Sequence, residues 1–429
     1  MAVLHTEGGF LRDEVGRVVL LRGANVSGRS KLPPFLPFDD PRWFDPLAEW
    51  GMNAIRLLVT WEAIEPERGA YDDAYLATIA SLARAAGARG LHVVIDFHQD
   101  LFARSFGGDG APAWAVSQPG RAATGREWFW YYGVSGGVQR SFAAFWRDEN
   151  GLRTAFIAAV AHTMRKLADV DAIVGYDLFN EPMAPLAELV RGRFEREWLA
   201  DFHRACVRIR DAHAPGRVLL VEPTPLVAFG APTSLGELDG RDIAYAPHLY
   251  DATALLASRF LPRLSTFPRA LAAVAATSRA RRWPLVIGEF GVLNGVALAD
   301  RMIEDQCSRL DRAFASWLVW HYNPTDVDWN AEDASIVSPG GGERPWTGAL
   351  VRPFPRALAG TPLRWESRPD RTWTLEYKAH GSAPTELTIP ARWSPAPRVA
   401  ITGGEASLDG PTLEIRADPG AHVRVELRR

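Results

Sequence analysis

Short, unbroken apolar runs rich in Val, Ile and Leu recur along most of this 429-residue chain, each followed by a longer segment of helical period. Runs of this length without alternation mark parallel strands covered on both faces, since neither face has to meet water. Eight are present, at residues 18–26, 53–60, 92–97, 173–179, 218–223, 243–249, 285–290 and 316–321. Helices are expected between them, among others at 72–88, 152–168, 194–212 and 271–281. Asp72 is a natural N-cap for the first of these, and Gly87 and Gly90 punctuate its end. Eight such units predict an α/β protein built as a (β/α)8 barrel. A doubly wound open sheet is the rival, but it calls for a glycine-rich phosphate loop after the first strand, where this chain has Arg22-Gly23-Ala24-Asn25-Val26.

After about residue 355 the pattern changes to short alternating segments, at 371–377, 386–389, 398–401, 412–415 and 423–427. Turn signals such as His380-Gly381-Ser382, Thr402-Gly403-Gly404 and Asp418-Pro419-Gly420 separate them. The expected division is a catalytic barrel over residues 1–355 and a small β-sandwich over residues 356–429.

Composition narrows the class of partner. The 48 basic and 51 acidic side chains nearly cancel, so no strong overall field draws the chain to nucleic acid or to an anionic membrane. Nor is there an apolar run of about 18 residues to span a bilayer, which leaves at most transient contact with a lipid surface. The first residues lack a basic segment followed by an apolar one, the form of a signal peptide. A cytoplasmic protein is therefore expected for the chain as it stands, and a secreted one if a leader was removed. Cys206 and Cys307 offer neither metal spacing nor a disulfide framework and read as reduced structural thiols. His321, Asp326, Asp328 and Asp333 lie among Pro324, Trp329 and Asn330, which suits a substrate loop better than a metal site. No cofactor or metal is expected. The glycosylation-type triplet at Asn25 lies on a predicted strand and carries no weight. Sixteen Trp, a high count, favours a site that stacks on sugar faces.

In such a barrel the chemistry gathers at the C-terminal ends of the strands. Those ends supply Arg56, His98, Asp100, Asn180, Glu181, His248, Tyr250, Glu289 and Trp320. Two of them are glutamates closing buried strands, in Asn180-Glu181-Pro182 and in Gly288-Glu289-Phe290-Gly291. A buried carboxylate must be paired, hydrogen-bonded or put to use. Meeting in one cleft about 5 Å apart, two of them would form the acid/base and nucleophile of a retaining glycosidase. An arginine near Glu289 would lower its pKa, and a more apolar setting would raise that of Glu181.

These motifs resemble glycoside hydrolase family 5. Arg56, His98, His248-Leu249-Tyr250 and Trp320 extend the match across the barrel. Asp96-Phe97-His98-Gln99-Asp100, Gly108-Asp109-Gly110-Ala111-Pro112-Ala113-Trp114 and the Arg22–Val26 segment with Lys31 resemble its endoglycoceramidase branch. The resemblance implies that Asn180 donates to the sugar 2-hydroxyl, and that Tyr250 and Arg56 hold Glu289 ionised. It also implies that Lys31, His98 and Asp100 bind hydroxyls of the sugar beside the scissile bond, with Trp320 as its floor. His248 is placed to hydrogen-bond the acid/base.

The aromatic-rich insertion 101–150 would wall either an apolar aglycone or a local core, with Phe142, Phe145 and Trp146 at helical spacing assigned to core. The stretch 255–267 would form the opposite wall. The expected substrate is a glycolipid, such as a glucosylceramide or a steryl glycoside. The alternatives are a β-glucosidase or endo-β-glucanase on soluble saccharides and, in another class, a barrel that only binds glycans or lipids.

Overall fold

The structure is a computed structural model that describes residues 3–116, 120–125, 128–326, 329–368, 372–393 and 397–428. Arg371 and Asp328, which figure in the sequence reading, lie outside the described residues. The eight apolar runs form one parallel sheet of strands Arg22–Val26, Ala54–Thr60, His92–His98, Ile173–Asp177, Val218–Val221, Ile243–Tyr245, Val286–Phe290 and Ser316–Tyr322. Every residue of these strands is buried, as unalternating apolar runs require. The sheet order runs seventh, eighth, first and on to sixth. Parallel bridges Tyr245–Leu285 and His248–Glu289 close the sixth strand onto the seventh, and the Leu249 N–H donates to the Glu289 carbonyl at 2.8 Å. The closing seam of the barrel thus runs through one of the two candidate glutamates.

Helices Asp73–Gly87, Leu152–Lys166, Ala200–His213, Phe267–Arg281 and Ala299–Arg312 cover the barrel. Asp72 caps the first, its side chain accepting the Tyr75 N–H. The 194–212 prediction resolves into a π-helical turn, Phe194–Leu199, followed by the α-helix. Between strands five and six the chain forms no α-helix, only the 3-10 segment Pro225–Phe229. Pro223, Pro225, Gly230, Pro232 and Gly236 break any longer helix there.

The first predicted strand is two strands in different sheets. Val18–Val19 pairs antiparallel with Phe354–Leu358, whereas Arg22–Val26 enters the barrel. At the crossing, side chains replace ladder bonds: the Arg22 N–H donates to Asn53 Oδ1, Asn53 Nδ2 to the Leu20 carbonyl, and the Leu21 N–H to Ser316 Oγ. His5–Glu7, Phe10–Arg12 and Val18–Val19 join four strands of the tail in a seven-stranded sheet, facing a four-stranded one. Their common core includes Val18, Leu20, Phe354, Trp365, Trp373 and Leu387. The tail also contains strands Gly360–Ser367 and Glu405–Asp409 that its sequence does not signal. Glu405–Asp409 is exposed throughout, its Ala406 and Leu408 included, so no apolar run marks it. Cys206 and Cys307 are both free and buried.

A buried ion triad locks barrel to sandwich. Arg22 Nη1 lies 2.6 Å from Asp311 Oδ1, Arg352 Nη2 lies 3.1 Å from Asp311 Oδ2, and Arg22 stacks over Trp317 and Phe354. All three charged side chains are no more than 3% exposed. Asp311→Asn leaves Arg22 buried against an uncharged amide and Arg352 with only the half-exposed Glu304 as carboxylate partner among the described residues. It is expected to cost about 3–5 kcal/mol in denaturant unfolding, while the folded fraction keeps its kinetic constants.

Candidate active site

Arg56 projects from the second strand into the barrel mouth, 0% exposed, and all its donors are engaged. Nε donates to Asp177 at 2.9 Å; Nη1 donates to Asn25 Oδ1 at 2.9 Å and to Glu289 Oε1 at 3.0 Å. Nη2 donates to Asp96 at 2.8 Å, Asn180 Oδ1 at 2.9 Å and Glu222 at 3.1 Å. One guanidinium therefore ties together the first, third, fourth, fifth and seventh strands.

Around this hub the two glutamates converge. One carboxylate oxygen of Glu181, one of Glu289 and a ring nitrogen of His248 all lie within 4.8 Å of one another. That spacing leaves no room for a water between the carboxylates. Their surroundings differ. Glu289 receives Arg56 on Oε1 and the Tyr250 hydroxyl on Oε2 at 2.7 Å. Glu181 is the more open of the two and meets His248 Nδ1 at 3.1 Å. Burial raises the Glu289 pKa, against the pull of His248 and Arg56. Arg56 lowers it, as expected, but desolvation outweighs the arginine, so the net direction is upward. Tyr250, pushed well above its ordinary value by burial and by Glu289, remains a neutral donor.

Glu181 has a φ of 44°, a left-handed conformation that costs a non-glycine residue of order 1–3 kcal/mol. Three partners hold it there. Its N–H donates to Glu222 Oε2 at 2.9 Å, its carbonyl accepts from Gln99 Nε2 at 3.3 Å, and its carboxylate meets His248. His248 itself stands between Glu222, 3.3 Å from Nε2, and the two glutamates. Burial opposes its charge, yet Glu222 and Glu289 outweigh burial and raise its pKa well above the ordinary value. Burial likewise opposes the Glu222 carboxylate, but His248 and Arg56 bring its pKa below normal.

On the other side of the cleft Lys31 Nζ donates to Asp100 at 2.6 Å and lies 3.9 Å from Asp109. The ammonium sits 3.9 Å from the Trp329 ring centroid and 4.6 Å from that of Trp320. His98 stacks parallel on Trp320 at 5.3 Å, with Nδ1 2.7 Å from Asp96 and Nε2 3.4 Å from Asp100. Burial would lower the His98 pKa, but Asp96 and Asp100 raise it to about 10. Burial pushes Asp100 up, and Lys31 with His98 brings it down to about 2. Burial, opposed by Lys31 and joined by Asp100, lifts Asp109 to about 7. Arg56 and Lys31 thus fill with cations the carboxylate clusters that a metal ion would otherwise suit.

All ten residues expected at the site are drawn to this mouth, though two stand differently from expectation. Lys31 is 1% exposed and serves Asp100 directly. Asn180 accepts from Arg56 and gives one of its two N–H groups to the Gln99 carbonyl. Asn25, Gln99, Asp177 and Glu222 carry the framework without having been singled out. Asn25, set aside with its triplet, donates from Nδ2 to the Gly288 carbonyl. For Glu222 a signal exists: Val221-Glu222-Pro223 repeats the strand-end glutamate–proline of Glu181-Pro182. Glu332, after the eighth strand, has no such signal; burial, with Lys31 opposing, lifts its carboxyl to about 7.

The insertion 101–150 mostly packs its own core. Phe102, Phe106, Phe142, Phe145 and Trp146 are buried, and the ring contacts of Phe145 reach Trp61, Phe156 and Phe179. Trp128 instead packs on Trp329 at 5.0 Å, beside Lys31.

A (β/α)8 barrel that joins two carboxylates this closely at the ends of its fourth and seventh strands is built as a glycoside hydrolase. The chain belongs to glycosyl hydrolase family 5, whose cellulase model matches residues 14–326. Over 100% of its length it is 27% identical to endoglycoceramidase I of Rhodococcus hoagii (strain 103S), covering 89% of that protein. It superposes with a TM-score of 0.87 on endo-glycoceramidase II from Rhodococcus sp. in its ganglioside GM3 complex, at 27% identity, covering 98% of this chain and 99% of that one. The lactosyl-enzyme intermediate of that enzyme gives 0.84 at 28% identity, with the same coverage.

Glu222→Gln keeps an acceptor for the Glu181 N–H and removes the charge that keeps His248 protonated. It is expected to lower kcat/KM by about tenfold, about 1.4 kcal/mol, with KM little changed and the basic limb of the pH profile moved to lower pH. Steady-state kinetics across pH, beside a circular dichroism spectrum that shows the variant folded at the assay temperature, check this.

Proposed function

We propose that this chain is a retaining β-glycosidase whose substrate is a glycolipid, with Glu289 as nucleophile and Glu181 as acid/base. The carboxylate pair carries the reading: the two oxygens lie within 4.8 Å, and only Glu289 is gripped by an arginine and a tyrosine. Glu289 attacks the anomeric carbon while Glu181, at the open side of the cleft, gives its proton to the leaving oxygen. Glu181 then takes a proton from water as that water releases the glycosyl group. Arg56 and Tyr250 orient the nucleophile. Asn180, fixed by Arg56, turns its remaining N–H to the 2-hydroxyl, and His98 with Asp100 grips the next hydroxyls. Lys31 acts through Asp100, holding it ionised. The glycolipid assignment is supported by the endoglycoceramidase relatives.

Labelling with a 2-fluoro glycoside is expected to place the sugar on Glu289, and Glu289→Gln to lower turnover by ~10³-fold or more. Glu181→Ala is expected to retain attack on nitrophenyl glycosides and to release a glycosyl azide when azide is added. Absence of label on Glu289, with unchanged turnover in Glu289→Gln, overturns the mechanism. Hydrolysis confined to cellooligosaccharides in a panel with glucosylceramide, galactosylceramide and steryl glucoside overturns the substrate class.

The pH dependence follows from the same geometry. The nucleophile must be ionised, so kcat/KM rises with pH as Glu289 loses its proton. Because burial raises that pKa, the acid limb is expected above the ordinary glutamate value of 4.5. His248→Asn removes a cation that stabilises ionised Glu289, so the limb should move to higher pH by about one unit or more. A pH profile of kcat/KM on a nitrophenyl glycoside measures both.

A further inference from the structure

Three loops that leave different strands meet over one end of the catalytic mouth. Lys31 follows the first barrel strand, Trp128 belongs to the insertion after the third, and Trp329 and Asn330 follow the eighth. Trp128 packs edge-on against Trp329 at 5.0 Å, and Asn330 Nδ2 donates to the Gly107 carbonyl at 2.6 Å. The loops after strands three and eight are thus joined twice. Lys31 Nζ lies between two tryptophans of this end, 3.9 Å from the Trp329 ring centroid and 4.6 Å from that of Trp320. The end is closed as well as bridged: Lys31 is 1% exposed, Trp320 3% and Trp329 6%.

The chemistry says which end this is. An acid/base must face the leaving oxygen, so the aglycone departs on the Glu181 side. That side keeps contact with solvent, the Glu181 side chain being 15% exposed against 5% for Glu289. In the loop that follows His248, stretch 255–267 buries Phe260 and Phe267 but leaves Leu256 and Leu264 exposed. A sugar lying on Trp320 runs the other way, past His98 towards Asp100 and Lys31. An enzyme that removes a whole oligosaccharide needs a groove that continues beyond this first sugar. Here one ammonium group separates the ring that floors the first sugar from the ring that walls the end, and all three groups are buried. The same end holds ionised groups that need free hydroxyls as partners. A hydroxyl carrying a second sugar has lost its proton and brings a ring with it, and a polar site rejects such a loss steeply.

We propose that the cleft is blind at its glycone end, so that this enzyme takes lipids bearing a single hexose and releases a monosaccharide, not the intact glycan of an oligosaccharide-bearing lipid. The inference rests on the glycolipid reading above and narrows its substrate class. Trp128, Trp329 and Asn330 set the limit by occupying the path of a second sugar, while the bond-breaking groups stay as described.

The full chain is assayed in detergent micelles on glucosylceramide, galactosylceramide and lactosylceramide, and the released sugars are separated by chromatography. Nitrophenyl glucoside, galactoside and lactoside are run in parallel. Free hexose is expected from a monohexosyl substrate, with intact lactose released at least tenfold less efficiently in kcat/KM. A Trp128→Ala, Asn330→Gly double variant leaves Trp320, Lys31 and both glutamates in place. Asn330 has a φ of 54°, so glycine keeps the turn while the bridge to Gly107 is lost. This variant is expected to narrow the gap between lactosyl and hexosyl substrates at least threefold, chiefly through a lower KM for the lactosyl one. Should it fail to fold by circular dichroism, the products of the parent decide alone. Release of intact lactose by the parent within tenfold of hexose overturns the blind end and leaves the glycolipid reading standing. A folded variant with an unchanged ratio overturns the part given to the joined loops. Hydrolysis of nitrophenyl hexosides in preference to the lactoside, with none of the three ceramides cleaved, overturns the glycolipid reading and supports the blind end.

Discussion

The buried guanidinium of Arg56 is the interaction on which the site depends. Removing such a cation from water costs several kcal/mol, and only a full set of well-placed acceptors offsets that cost. The chain supplies them from five strands: Asn25, Asp96, Asp177, Asn180, Glu222 and Glu289. The same bonds that make the arginine tolerable tie the barrel mouth together and fix the Glu289 carboxylate. Stability and function therefore share one network, and few of its members are free to change alone.

The second constraint is the strained backbone of Glu181. A left-handed glutamate after a buried strand persists only where its surroundings over-determine it. Glu222 and Gln99 take its N–H and carbonyl, and His248 takes its carboxylate. His248 is therefore neither an idle core histidine nor a simple hydrogen-bond donor. It is a buried cation between Glu222 and the carboxylates of Glu181 and Glu289. Its charge offsets part of the desolvation that would otherwise keep Glu289 protonated.

The tail and the insertion show where local pattern fails. Aromatics in 101–150 look the same in sequence whether they line a cleft or pack a core, and most pack a core around Trp61 and Phe156. Residues 5–19 lead directly into the barrel in sequence, yet their strands pair into the sheet of the C-terminal segment. The ladder partner of a strand is set by what lies beside it in space, and here that partner is more than 300 residues away in the chain. The absent fifth helix, by contrast, is visible in hindsight from its prolines and glycines.

By itself the sequence determined the eight buried strands, because a continuous apolar run has no other way to avoid water on both faces. It also determined the two strand-end glutamates, because burying a carboxylate there is too costly without a purpose. The family motifs further marked Arg56, His98, Asn180, Tyr250 and Trp320. Only the tertiary structure decided which groups each of these touches. The roles of Asn25, Asp177 and Glu222 arise from separate strands meeting at one arginine, and no local pattern encodes that meeting. The direction of the Glu289 pKa was decided there too, since burial and neighbouring charges oppose each other and only their distances say which prevails.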